Sequence, residues 1–256
     1  MVKLFIKQQG SGQPIVFLHG WGFNHSIWDK TAAALDNCTY QIDLPGHGKS
    51  PLCHYQLPTL TDCLIEQLPE NAIWIAWSLG GLLAMATAIR YPQFIKALVL
   101  VSSSPRFIKT DNWSCAMKET VLQQFNQQLQ EDSISTLQRF LALQVKDTST
   151  ARQQLRELSH LLKTNGYPQL AALQSGLHLL QTTDLREQLS MITCPTLAIL
   201  GQRDTIVPVS VGTVWQQWMS SLRVVSIKSA AHIPFLSHPD TFLHELQRFL
   251  HDRVTA

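Results

Sequence analysis

Ala72-Ile73-Trp74-Ile75-Ala76-Trp77-Ser78-Leu79-Gly80-Gly81-Leu82-Leu83-Ala84-Met85-Ala86-Thr87-Ala88 reads as a short buried strand, a turn and a helix. The apolar run Ala72–Ile75 has the length of a strand covered on both faces, and Leu82–Ala88 is rich in helix formers. Ser78 falls between them, with small residues two positions away on each side, Ala76 and Gly80. The requirement is steric. A serine pushed out of a sheet on a tight strand-to-helix turn brings strand and helix nearly into collision, so its neighbours must be small. Ala76 stands where glycine is more usual, a departure of one methyl. A helix that begins just after Ser78 aims backbone N–H groups and its positive end at any negative charge developing beside the serine. The same string also fits an ordinary small-residue turn, so the flanking chain has to decide.

Upstream, Pro14-Ile15-Val16-Phe17-Leu18 is a second buried strand, followed by His19-Gly20-Trp21-Gly22. Glycines on both sides of Trp21 let that loop approach Ser78 closely, so the Trp21 and Leu79 N–H groups are the candidate oxyanion donors. His19 is expected to brace the loop rather than to act as a base. Thr39–Ile42 reads as a strand. The segment after it, Asp43-Leu44-Pro45-Gly46-His47-Gly48-Lys49-Ser50, lacks the first glycine of a phosphate loop, and its Asp43 and Ser50 suit local turn hydrogen bonds. A helix is expected over Thr59–Leu68.

Downstream, Ala97–Val101 is another buried strand. Strand-like runs then vanish between about Arg106 and Gln188, where leucines recur at helical spacing, as in Leu155-Leu158-Leu161-Leu162. This predicts a four-helix insertion over 108–187, a lid on a core made of 1–107 and 188–256. Sheet strands return at Pro195–Leu200, ahead of Gly201-Gln202-Arg203-Asp204, and at Leu222–Ile227, ahead of Ala230-Ala231-His232. A closing helix is expected over Pro239–Leu250, which leaves His238, His244 and His251 as surface residues. The fold class is therefore α/β, a mostly parallel sheet with helices on both faces. Ser78, Asp204 and His232, each just beyond a strand, form a candidate nucleophile, orienting acid and base in the chain order known for serine hydrolases on parallel sheets.

The 256 residues carry a formal net charge of +2 with 15% charged residues, which argues neither for nucleic acid nor for a membrane surface, and neither is expected as a partner. No apolar run is long enough to span a bilayer, and Met1–Lys7 lacks a signal-peptide pattern. Cys38, Cys53, Cys63, Cys115 and Cys194 show neither metal nor redox spacing, so reduced thiols in a cytoplasmic protein are expected. Arg152, Arg156 and Lys163 share one helical face, with Arg139 and Lys146 nearby in sequence. By periodicity alone this is a solvated face, diluted by Glu157.

Leu18–Gly22, Asp43–Gly46, Trp77–Leu82, Arg139-Phe140-Leu141-Ala142-Leu143-Gln144 and Ala230–His232 together resemble α/β-hydrolases. More closely, they are similar to the methyl ester esterases that act on carrier-bound pimeloyl groups in biotin synthesis. The resemblance implies an esterase of that substrate, without metal or organic cofactor, acting as a monomer. It implies substrate contacts from Trp21, Ser78, Leu79, Phe140, Leu141, Ala142, Leu143, Gln144 and His232. It also implies docking of the acyl carrier protein on Arg139, Arg152 and Arg156, with Ser135 and Ser159 where that face can carry further basic residues. A general short-chain carboxylesterase, a thioesterase and a non-catalytic small-molecule receptor are the alternatives.

Overall fold

The computed structural model describes residues 2–146 and 150–254. Among them, seven strands form one sheet: β1 (Ile6–Gln9), β2 (Pro14–Leu18), β3 (Cys38–Ile42), β4 (Ala72–Trp77), β5 (Ile95–Val101), β6 (Thr196–Gly201) and β7 (Arg223–Ile227). The spatial order is β1-β3-β2-β4-β5-β6-β7, parallel throughout except for β1, which runs antiparallel to β3. Every residue of β4 and β6 is buried. Successive side chains point to opposite faces of a strand, so both faces of the sheet centre are covered.

The first helices are α1 (Asp29–Ala33), α2 (Leu57–Ile65) and α3 (Leu79–Arg90). Four more, α4 (Glu119–Glu131), α5 (Ser133–Gln144), α6 (Ala151–Asn165) and α7 (Leu170–Thr182), lie between β5 and β6. The chain ends through α8 (Val211–Gln216), α9 (Pro234–Ser237) and α10 (Pro239–Val254). Among the described residues, no helix is long and apolar enough to cross a membrane. The five cysteines are unpaired.

Strand β1 and the short helices α8 and α9 have no counterpart in the sequence pattern. Strand β1 is a four-residue edge strand, Ile-Lys-Gln-Gln, whose outer residues are exposed; it has no buried face to print an apolar pattern. Helix α8 is too short to show a period. The helix expected over Thr59–Leu68 instead starts at Leu57, because Pro58 fits the first turn, where no N–H is required.

The chain leaves the core and returns to it through one fastening. Leu185 N–H donates to the Pro105 carbonyl (3.0 Å), and Asp184 accepts from both Arg106 and Arg186. Burial alone raises the Asp184 pKa, but these hydrogen bonds win and hold it at about 2. The Arg186 guanidinium lies between the Trp113 and Trp218 rings, 5.4 and 5.5 Å from their centroids. Further along the inserted helices, Gln169 N–H donates to the Gly46 carbonyl and Glu157 pairs with Lys30 at 2.6 Å, so both α6 and the start of α7 are tied down to the core.

Candidate active site

Ser78 occupies the turn between β4 and α3 at φ 53°, ψ −118°, a conformation that costs a non-glycine residue on the order of 1–3 kcal/mol. Packing enforces it. A Cβ on Gly80 would lie 2.5 Å from the His19 carbonyl oxygen, and one on Gly81 would lie 2.4 Å from Ser103 Oγ. The Ser103 hydroxyl donates to the Ser78 carbonyl (2.8 Å). Ala76 keeps regular pairing with Leu18 and Leu100, so its methyl does not disturb the strand.

His232 Nε2 lies 3.0 Å from Ser78 Oγ, and its Nδ1 lies 2.7 Å from Asp204 Oδ2. All three residues are at most 5% exposed. An ionised carboxylate only accepts, so Nδ1 carries the proton and the Nε2 lone pair faces the serine hydroxyl. The other Asp204 oxygen accepts the N–H groups of Ile206 (2.8 Å) and Val207 (2.9 Å), which fixes the carboxylate plane.

Neighbouring strands bring acid and base together. β6 pairs with β7 up to Gly201↔Ile227, and the loops beyond are joined by Arg203 N–H to the Ala230 carbonyl (2.8 Å). They cross so closely that a Cβ on Gly201 would lie 2.0 Å from the Ala231 carbonyl oxygen. His232 is gripped from two further directions. Its carbonyl accepts the Trp77 indole N–H (2.9 Å), and its N–H donates to the Gln144 carbonyl at the end of α5 (3.2 Å). Neither brace is legible in sequence, since each joins residues far apart in the chain.

The pairing Leu18↔Ala76 sets the loop after β2 beside the elbow. Leu79 is the first residue of α3, and neither its N–H nor that of Trp21 donates to another group among the described residues. The Trp21 side chain reaches the inserted helices: its indole N–H donates to the Leu173 carbonyl (2.8 Å), and its ring meets Phe140 edge-on at 4.7 Å. Gly176 makes room for it, since a Cβ there would lie 2.8 Å from the indole.

The run Phe140–Gln144 does not act as one block. Phe140, Leu141 and Gln144 are buried, Leu143 is half-buried and Ala142 is exposed. Five successive residues of a helix sweep more than one full turn, so they cannot all face one pocket. Both side-chain amide atoms of Gln144 are buried and have no hydrogen-bond partner among the described residues. Arg139, Arg152 and Arg156 are exposed on α5 and α6 and, among the described residues, make no ion pair. Arg156 lines an open groove of about 460 Å³ with Gln138, Leu155, Ser159, His160 and Lys163. Glu157, which on sequence dilutes this charge, is committed to Lys30 on the core. Lys146 is exposed, while His238 is half-buried and His244 and His251 are exposed.

Behind the Trp21 loop, Asp43 accepts from the His25 and Lys49 N–H groups, and its carbonyl accepts the Ser50 hydroxyl. Burial lowers the pKa of His47 to about 4 and that of His19 to about 3. Both groups are neutral in the folded protein and free to titrate near 6.5 once unfolded. Their contribution to stability is therefore full above pH 6.5 and is lost as pH falls through 4 and 3. Urea unfolding is expected to show constant stability above pH 7 and, near pH 5, an uptake of about two protons on unfolding. A flat profile from pH 7 to 4.5 would contradict this. Among the described residues no three His, Cys, Asp or Glu side chains are grouped to hold a metal ion.

A serine with its imidazole base and orienting carboxylate, set at the carboxyl ends of parallel strands, defines a serine hydrolase. The chain belongs to the α/β-hydrolase fold family, whose model matches residues 13–239. Its curated relatives include a protein of Shewanella woodyi, 39% identical over 251 residues, with 97% of this chain and 98% of the relative covered. Another, from Pectobacterium carotovorum, is 40% identical over 254 residues, covering 97% and 99%. Both bear the name pimeloyl-[acyl-carrier protein] methyl ester esterase. Among solved structures, the esterase EaEST from Exiguobacterium antarcticum superposes with a TM-score of 0.88 at 21% identity, over 98% of this chain and 96% of that one. The enol-lactonase of Burkholderia xenovorans LB400 gives 0.83 at 22% identity, over 98% and 97%. At those identities the likeness is one of fold. The chain is a carboxylic ester hydrolase.

Proposed function

We propose that this protein hydrolyses the methyl ester of pimeloyl-acyl carrier protein, giving pimeloyl-acyl carrier protein and methanol in biotin synthesis. The observation that carries the reading is the hydrogen-bonded chain Ser78–His232–Asp204 beneath helices whose outer face presents exposed arginines. His232 Nε2 takes the Ser78 proton as Oγ attacks the ester carbonyl. The Trp21 and Leu79 N–H groups hold the resulting oxyanion, each donor contributing about 3 kcal/mol to the lowering of the barrier. His232 then returns the proton to the departing methoxy oxygen, and methanol leaves. Water, deprotonated by the same imidazole, attacks the acyl-enzyme, and Ser78 recovers its proton as the free carboxylate departs. No step calls on a metal or organic cofactor. Phe140, Leu141 and Gln144 line the acyl channel in this reading.

Arg139, Arg152 and Arg156 receive the acidic carrier, and the enzyme works as a cytoplasmic monomer. Exposed charges at such a face act through salt-screened attraction, so their effect falls on kcat/KM for the carrier-linked ester. The double change Arg152→Glu/Arg156→Glu is expected to lower that value by about ten- to a hundredfold at low salt and by less at high salt. Turnover of p-nitrophenyl acetate should stay unchanged. Equal kinetics of wild type and variant toward the carrier ester would remove the docking face from the account and favour a general carboxylesterase.

A further inference from the structure

His19 takes no part in the triad, yet both of its ring nitrogens are committed in the loop that carries Trp21. Nε2 lies 2.9 Å from the Leu44 amide nitrogen, a group that only donates. The proton of the neutral ring is therefore on Nδ1, which donates to the Gly20 carbonyl at 2.8 Å. The ring is fully buried, and burial together with the neighbouring His47, whose ring centroid is 5.1 Å away, keeps it uncharged. With its donor and its acceptor both in use, His19 has no lone pair for proton transfer.

What it does hold is a peptide plane. The Gly20 carbonyl and the Trp21 N–H belong to one planar unit and point in opposite directions. The carbonyl is pulled one way by the His19 Nδ1–H and by the Phe23 N–H (3.3 Å). The Trp77 ring packs against the same loop, 2.8 Å from where a Gly20 Cβ would lie. Rotation of that plane would withdraw the Trp21 N–H and turn a carbonyl oxygen toward the developing negative charge.

We propose that His19 is a positioning residue for the oxyanion hole, its Nδ1–H holding the Gly20–Trp21 peptide plane so that the Trp21 N–H faces the reacting ester. The inference rests on the reading of Trp21 as an oxyanion donor and is independent of which acyl substrate the enzyme takes. It separates the two hydrogen bonds of one side chain. In His19→Asn the amide nitrogen replaces the donor to Gly20 and abandons Leu44. In His19→Gln the longer amide reaches Leu44 and abandons Gly20. His19→Leu loses both.

The experiment measures kcat and KM for p-nitrophenyl acetate, inhibition by an aryl trifluoromethyl ketone, whose serine adduct carries an oxyanion, and Tm for each variant. His19→Gln and His19→Leu are expected to lose about ten- to a thousandfold in kcat, with KM little changed and ketone affinity falling in step. His19→Asn is expected to recover most of kcat despite a lowered Tm. If His19→Leu does not fold, the Gln and Asn changes carry the comparison. A kcat that follows Tm across the variants, or full kcat in a folded His19→Gln, overturns the inference while leaving the esterase intact. A wild type that turns over no ester would overturn the oxyanion reading and this inference with it.

Discussion

Ser78→Ala is expected to lower ester turnover by about a hundred-thousandfold to a millionfold while the protein stays folded. In the proposed mechanism the Ser78 oxygen is the nucleophile, and His232 Nε2 has no other serine, threonine or cysteine within hydrogen-bond reach among the described residues. Water could occupy the place of the missing hydroxyl, but it would bring only the residual catalysis of the oxyanion donors. The fold should not suffer. The backbone at residue 78 is held by the Ser103 hydroxyl on its carbonyl and by the close packing at Gly80 and Gly81, neither of which depends on the Ser78 side-chain oxygen. Circular dichroism and Tm beside a p-nitrophenyl acetate assay check both halves, and retained turnover in a purified variant would remove Ser78 from the mechanism.

Asp204→Asn is expected to cost about ten-thousandfold in kcat, for a reason specific to the hydrogen bonds around it. Asp204 Oδ1 accepts two backbone N–H groups, from Ile206 and Val207, so an asparagine keeps its carbonyl oxygen there. Its NH2 group must then face His232 Nδ1, which becomes an acceptor. The ring proton moves to Nε2 and points at the Ser78 oxygen, where a base is needed. Geometry survives and the tautomer is wrong. The check is kcat together with the nitrogen chemical shifts of the imidazole, which report the protonated nitrogen. An unchanged kcat would mean that Asp204 does not set the tautomer.

The sheet was legible, and with it Ser78 and Asp204, because each of these follows a continuous apolar run; His232 follows one that Arg223 and Ser226 interrupt. In a parallel sheet covered on both faces, such a run marks a strand, and the residue after it lies at the carboxyl edge where sites form. Ala72–Trp77 and Thr196–Gly201 illustrate this, whereas Arg223–Ile227 carries two polar residues, is half-exposed and begins one residue later than expected. Edge strand β1 has no such run and left no trace. The inserted helices were visible through their leucine period. The side of each helix that meets the site was not visible, and the block Phe140–Gln144 divides between inward and outward faces for that reason.

What sequence did not carry is everything that joins distant residues through the backbone. The hold of Trp77 and Gln144 on His232, and the tie of Trp21 to Leu173, are bonds between a named atom and a carbonyl whose identity is irrelevant. No residue pattern announces them. The same holds for Glu157, which falls among the arginines in sequence and pairs with Lys30 in space. His19 was expected to brace its loop, and the two ring hydrogen bonds supply the physical form of that bracing.

The most direct test of the account is methanol release from the methyl ester of pimeloyl-acyl carrier protein, measured with wild type and Ser78→Ala side by side and followed by mass spectrometry of the carrier. Stoichiometric methanol is expected from the wild type, with loss of one methylene mass from the carrier, and neither change with Ser78→Ala. A carrier that keeps its ester while the wild type hydrolyses p-nitrophenyl acetate would contradict the proposed substrate, and methanol released equally by both proteins would contradict the mechanism.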